Sequence, residues 1–205
     1  MLTVSADRDD VERRLGTGGL SCPGCSGVLA RWGWAAERKV RGLDGRTARV
    51  RPRRAACRGC RRTHVLLPVT LLSRRADEAA VIGAALEAKA GGAGHRPIAS
   101  MLGRPASTVR GWLRAFAALA ERVRRAFTAL AAVLVADPPL PAPAGSPLAD
   151  AVAAVAAAAA AAARFLAVGE VARWRLAAAV TCGLLLAPPR AARVINTNWP
   201  WAAGG

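Results

Sequence analysis

Lysine is nearly missing from this chain of 205 residues: Lys39 and Lys89 are the only two, so arginine supplies 28 of the 30 basic residues. Tyrosine is absent and histidine occurs twice. A long, strongly apolar run is missing too. Hydrophobic residues make up 53% of the chain, but much of that is alanine. The purest run, residues 151–163, is bounded by Asp150 and Arg164, and the next, 176–189, ends in a proline pair. Neither reaches the roughly 20 apolar residues of a bilayer span. The first residues carry Asp7, Asp9, Asp10 and Glu12 and no apolar signal core. These absences predict a non-membrane, cytoplasmic protein.

Acidic residues are few, 13 in all, and the formal net charge is +17. Such an excess points to polyanionic partners and says nothing about fold. GC-rich codons raise Arg and Ala together, so the position of the charge matters more than its sum. Residues 1–75 hold 17 basic and 6 acidic residues, 76–135 hold 8 and 4, and 136–205 hold 5 and 3. The excess is concentrated at the N-terminal end.

Composition divides the chain into five stretches. Residues 1–20 are polar, end in glycines and read as a flexible N-terminus. Residues 21–72 hold four of the five cysteines. Residues 74–135 read as helices. Residues 136–147 are a linker, because its closely spaced prolines favour stiff extended backbone. Residues 148–205 read as an alanine-rich helical tail: one helix over 148–168 with little side-chain area to bury, a second stopped at Pro188-Pro189, and an irregular end whose Trp199 and Trp201 cover the hairpin of the two. The tail is expected to be a loosely packed accessory, with a close hairpin or a partner-binding arm as the alternatives.

Cys22-Pro23-Gly24-Cys25 and Cys57-Arg58-Gly59-Cys60 are two C-x-x-C units separated by residues 26–56. A two-residue spacer lets one tight turn offer two thiolates to one ion, and Zn2+ takes four such ligands in a tetrahedron. Gly24, Gly27 and Gly59 suit these turns because glycine tolerates positive φ. One structural zinc on Cys22, Cys25, Cys57 and Cys60 is expected. Disulfides are the alternative, set against the missing secretory signal. His64 is an alternative ligand, read here as a strand residue.

Between the pairs, residues 47–53 alternate small or apolar with basic residues, as a half-buried strand does. The outward face would carry Arg49, Arg51 and Arg53, with Pro52 marking an edge. Residues 28–34 and 65–69 read as further strands. Short antiparallel strands carrying two knuckles describe a zinc ribbon. Residues 31–62 hold 12 basic residues against Glu37 and Asp44. That density suits phosphate contacts by Arg49, Arg51, Arg53 and Arg104; the plainer alternative is a solvated basic face.

In the third stretch, residues 77–90 show helical spacing that ends at Gly91-Gly92. A short helix runs from Pro97 to Leu102, Gly103 suits a left-handed cap, and a third helix starts at Ser107, whose hydroxyl can cap it. Val109, Trp112, Leu113 and Phe116 share one face. Ser107, Thr108, Arg110, Gly111 and Arg114 share the other, mostly types that hydrogen-bond phosphates or base edges. Helix, tight turn and amphipathic helix form the helix-turn-helix pattern. The alternative is a generic three-helix core with a polar outer face.

The segment Ile98-Ala99-Ser100-Met101-Leu102-Gly103-Arg104-Pro105-Ala106-Ser107-Thr108-Val109-Arg110-Gly111-Trp112-Leu113-Arg114 resembles the helix-turn-helix of insertion-element proteins and transposase-like regulators. The order Cys22-Pro23-Gly24-Cys25, then Arg41-Gly42-Leu43-Asp44-Gly45, then Cys57-Arg58-Gly59-Cys60-Arg61-Arg62-Thr63-His64-Val65-Leu66-Leu67-Pro68 is similar to an uncharacterised actinobacterial zinc-ribbon plus helix-turn-helix family described as transposase-associated. The resemblance covers about residues 20–118. It implies zinc and DNA binding, with Cys22, Cys25, Cys57 and Cys60 as ligands and residues 107–114 as the recognition helix.

Strand transfer needs three carboxylates around two metal ions in an α/β fold. After the third helix the only acids are Glu121, Asp137, Asp150 and Glu170, and no strand pattern surrounds them. Cys182 sits in an apolar helix as a small buried residue, and His95 starts a helix. The sequence therefore predicts no enzyme. The expectation is an α+β, mostly α, chain: an antiparallel zinc ribbon, a helix-turn-helix three-helix unit with an extension helix, and the tail. It would be a nucleoid-associated accessory factor or regulator binding double-stranded DNA, with a separate catalytic transposase subunit as a further partner; the helix over 119–135 either packs on the helix-turn-helix or pairs with a second copy in a homodimer. Two other readings stand beside it: a ribbon that docks on an acidic protein such as a polymerase, and RNA binding. For the latter, only Trp32 and Trp34 lie near the basic stretch to stack on bases.

Overall fold

The computed structural model describes residues 1–187, which form a mixed α+β chain. Its first elements correct the sequence reading. Residues 1–20 are not a flexible lead-in: they form strand β1 (Leu2–Val4) and helix α1 (Arg8–Gly16). Asp7 caps α1 by accepting from the Asp9 amide, with Asp9 and Asp10 at its positive end and Arg13 and Arg14 at its negative end. Leu2, Val4, Val11, Leu15 and Leu20 are buried in one cluster with Leu29, Ala55 and Leu66. The polar composition of the segment hides this regularly spaced apolar set.

The main sheet comprises β1, β2 (Leu29–Trp34), β5 (Arg53–Cys57) and β6 (Thr63–Pro68) in the order β1-β6-β5-β2. The β2–β5 and β5–β6 pairs are antiparallel, as expected, whereas β1 joins β6 in parallel. A separate hairpin pairs β3 (Arg38–Arg41) with β4 (Thr47–Val50). The single strand expected over 47–53 is thus two. Arg51 and buried Pro52 separate them, and Pro52, without an N–H for a ladder, sits where the chain leaves one sheet for the other.

The helices are α2 (Ala79–Ala90), α3 (His95–Leu102), α4 (Ala106–Ala117), α5 (Ala120–Leu134), α6 (Pro147–Phe165) and α7 (Arg173–Val180). Gly103 closes α3 at φ +60° and ψ 41°, the left-handed cap that its position suggested. Ser107 does not cap α4. Pro105 holds the cap position and Ser107 lies within the first turn. The last helix is shorter than expected: α7 ends at Val180, and buried Cys182 follows in a turn. The expected stop at Pro188-Pro189 and the end with Trp199 and Trp201 lie outside the described residues.

The alanine-rich tail is not a loose accessory. Buried residues from α2 through α7 form one continuous core. Ser146 caps α6 by accepting from the Ala149 amide, and Pro147 opens it. By length and composition α6 passes as a membrane span, which the sequence reading denied it, yet 61% of its apolar window is buried inside the protein. Its small side chains let α5 and α6 lie close together. Trp174 of α7 ties the tail to the earlier helices. Its ring meets Phe116 of α4 edge-on at 6.5 Å, and its Nε1 donates to Glu87 Oε1 of α2 at 2.8 Å. Gly83 of α2 makes room for it, since a Cβ there would lie 2.1 Å from the indole. Trp174→Ala is expected to lower unfolding free energy by about 3–5 kcal/mol, the usual range for a large buried aromatic; denaturant unfolding checks this, and a loss under 1 kcal/mol would contradict a shared core.

Candidate functional site

Four sulfurs converge between two matching turns. The Sγ atoms of Cys22, Cys25, Cys57 and Cys60 all lie within 4.8 Å of one another. Cys22 and Cys60 are 3.7 Å apart, Cys25 and Cys57 3.4 Å. A tetrahedral ion with sulfurs at about 2.3 Å has S···S edges of about 3.8 Å, so the donor set fits one thiolate-bound metal. Four cysteines would close such a site, leaving it a structural role.

The two turns repeat one backbone design. The Ser26 amide donates to the Cys22 carbonyl and the Arg61 amide to the Cys57 carbonyl, at 2.8 and 3.1 Å. The Cys22 amide donates to the Gly27 carbonyl and the Cys57 amide to the Arg62 carbonyl, at 2.8 and 2.9 Å. The residue just past each second cysteine takes positive φ: Ser26 at 58° and Arg61 at 62°. Positive φ therefore falls on these residues and not on Gly24, Gly27 or Gly59. Gly27 is needed for space, because a Cβ there would sit 3.1 Å from Cys57 Sγ and 3.3 Å from Cys25 Sγ. Backbone amides of Gly24 and Cys60 donate to Cys22 Sγ and Cys57 Sγ, each at 3.4 Å.

The thiols crowd one another electrostatically. The Gly27 amide, then the Cys57 and Cys60 thiols, hold Cys25 below the ordinary thiol value. The Arg62 amide pulls Cys60 down, but the Cys25 thiol, desolvation and the remaining thiols outweigh it and push Cys60 up to about 11. Four thiolates so close need a cation before all can ionise. His64, in β6 opposite Ala55, lies outside the four-sulfur group; its Nε2 is 3.4 Å from Cys22 Sγ, within hydrogen-bonding reach of that sulfur.

The arginines proposed for phosphates divide. Arg51 is exposed and Arg49 forms an exposed ion pair with Glu37 at 3.0 Å, a weak link in water. Arg53 is not available. Its Nε lies 2.7 Å from Glu12, its Nη1 donates to the Gly33 carbonyl, and its guanidinium sits 4.5 Å from the Trp34 ring centre. Arg104 is also internal, with its side chain 7% exposed. It donates from Nε to Asp77 Oδ1 at 2.6 Å, while Arg41 donates from Nη2 to Oδ2 at 2.9 Å. Buried Asp77 thus joins the β3–β4 hairpin to the turn after α3. No sequence pattern announces Glu12 or Asp77 as the partners, because both pairings are long-range.

On α4, Val109, Trp112, Leu113 and Phe116 are buried. Ser107, Arg110, Gly111 and Arg114 are exposed and Thr108 is half-buried. Among the described residues, no carboxylate pairs with Arg110 or Arg114.

Fold and site define a mixed α+β protein with a four-cysteine centre of metal-binding geometry. Residues 22–112, less than half of the chain, match the profile of a domain of unknown function (DUF6431). The match starts at the first cysteine of the centre and ends at Trp112 within α4, so β1, α1 and α5–α7 lie outside it. No curated protein and no solved structure matches the chain.

Metal analysis of the purified protein is expected to find one ion per chain, lost in Cys57→Ser together with cooperative melting of the sheet; full occupancy in that variant would contradict the site. Asp77→Ala leaves two arginines without their shared anion and is expected to cost about 3–5 kcal/mol in denaturant unfolding. A loss below 1 kcal/mol would show that the bridge is dispensable.

Proposed function

We propose that this protein is a zinc-containing helix-turn-helix DNA-binding protein, a transposase-associated accessory factor or transcriptional regulator without a catalytic domain of its own. The four-cysteine centre would hold a structural Zn2+ in a zinc ribbon, and α4 would enter the major groove. Thiolate-only donors and near-tetrahedral spacing favour zinc among common divalent ions.

The observation that carries the DNA reading is the outer face of α4. Arg110 and Arg114, one turn apart, stand exposed without acidic partners among the described residues, and between them is Gly111. A Cβ at Gly111 would meet nothing within 4 Å, so packing inside the protein does not require glycine there. Glycine costs a helix interior up to about 1 kcal/mol relative to alanine. A helix that gives up this stability on an open face, between two free guanidinium groups, suits close approach to a duplex. Arg51 and Arg49 would add phosphate contacts from the ribbon. Arg104 serves this face indirectly, by fixing the turn before α4 through Asp77.

Selection of bound sites from a random duplex pool tests the reading. The wild type is expected to enrich a sequence motif. Arg110→Ala and Arg114→Ala should each relax preference at particular base pairs by about 1–3 kcal/mol, the worth of a bidentate base contact. Arg51→Ala should weaken binding evenly across sequences. Failure to retain any duplex would overturn the proposal, and a nuclease-resistant complex with an acidic protein would favour the docking alternative. Gly111→Ala should raise helix stability by up to about 1 kcal/mol and weaken duplex binding; unchanged affinity would contradict close approach at that position.

A further inference from the structure

The sheet carries a second feature that the α4 reading does not use. In the β2–β5 ladder Arg31 faces Ala55 and Gly33 faces Arg54, so Trp32 is the extra residue of a β-bulge on an edge strand. Gly33 supports the bulge at φ +153°, a conformation side-chain-bearing residues rarely adopt, although an added Cβ would meet nothing there. Bulges re-aim side chains. This one leaves Trp32 64% exposed.

Trp32 walls a depression of about 390 Å³. The floor is Ala30 and Ala56, directly opposite each other in the ladder, with Thr63 opposite Ala56 on the next strand. Two alanines in adjacent strands make a shallow apolar floor beside an aromatic wall. Arg58 and Arg61, from the second cysteine turn, form the rim. Both are exposed, neither has an ion pair among the described residues, and no carboxylate lines the depression. Arg31 also borders it, but its guanidinium is turned to Glu12 at 2.9 Å. Trp34, the other tryptophan nearby, has Arg8 and Arg53 each 4.5 Å from its ring centre. Trp32 is the aromatic left open to a ligand on this sheet.

We propose that this depression binds an unpaired nucleotide of a DNA strand, its base stacked on Trp32 over Ala30 and Ala56 and its phosphate held by Arg58 and Arg61. The volume lies within the roughly 300–1,000 Å³ of ligand-holding cavities. An aromatic face with guanidinium groups beside it is the combination that binds single strands with little sequence preference. The site takes its DNA ligand from the reading of α4 but shares no residue with that helix. It would give the protein a hold on frayed or displaced strands next to the duplex.

Fluorescence titration with an oligothymidylate of about twelve nucleotides tests the site. Wild-type protein is expected to bind with quenching of tryptophan emission. Trp32→Ala should weaken binding by about five- to a hundredfold, the worth of one stacked base. Trp32→Phe should keep most of the affinity while losing most of the quenching. Arg58→Ala, and Arg61→Asn, chosen because asparagine tolerates positive φ, should each flatten the salt dependence. Metal content should match wild type in every variant, which separates loss of the site from loss of the fold. Unchanged oligothymidylate affinity in Trp32→Ala overturns the proposal, as does tighter binding of the corresponding oligouridylate. Arg110→Ala/Arg114→Ala should leave oligothymidylate binding intact. Wild-type protein that binds oligothymidylate but no duplex would sink the α4 reading alone, and wild-type protein that binds duplex but no oligothymidylate would sink this one alone.

Discussion

Asp77 holds the two halves of the molecule in register. Its two oxygens accept from Arg41 of the hairpin and Arg104 of the turn after α3, and its side chain is 3% exposed. A buried carboxylate is tolerated when it is fully paired, and removing one partner leaves an uncompensated charge. Arg104 extends the bridge with bonds to the Leu102 and Gly42 carbonyls. The turn that aims α4 is thereby tied to the strands that follow the first cysteine pair. The proposed duplex contact depends on this link, because it fixes the turn from which α4 starts.

The four-cysteine centre organises the other end of that sheet. Its two turns fix the start of β2 and the connection from β5 to β6, which carry Trp32, Arg58 and Arg61. The small apolar cluster beneath is completed by β1 and α1. On the helical side, α6 and α7 enclose α2 and α4, so the helix that bears Arg110 and Arg114 rests on residues far along the chain. Thr3 Oγ1 donates to the Ala179 carbonyl at 3.2 Å, joining the first strand to the last described helix.

Local signals were legible in the sequence and long-range ones were not. The paired cysteines, the left-handed Gly103 and the two faces of α4 follow from spacing within a few residues, and the structure has the cysteines together, the glycine at φ +60° and the apolar face buried. Arg53 and Arg104 looked like surface cations because nothing near them in sequence names Glu12 or Asp77. Leu2 and Val4 gave no strand pattern of their own; their partner is β6, some sixty residues on. The alanine helix looked too poor in side-chain area to hold a core, yet small residues bury well when a neighbouring helix can approach closely. In the sequence Trp32 is one of two aromatics near the basic stretch, and only the bulge distinguishes it from Trp34.

The central claim is that a basic protein with this charge distribution uses it on nucleic-acid phosphates. Duplex affinity measured across a range of salt concentrations tests it most directly, because each neutralised phosphate releases counterions. The account predicts a linear fall of log affinity with log salt, with a slope of about 0.9 per phosphate contacted. Affinity that does not change with salt would contradict it.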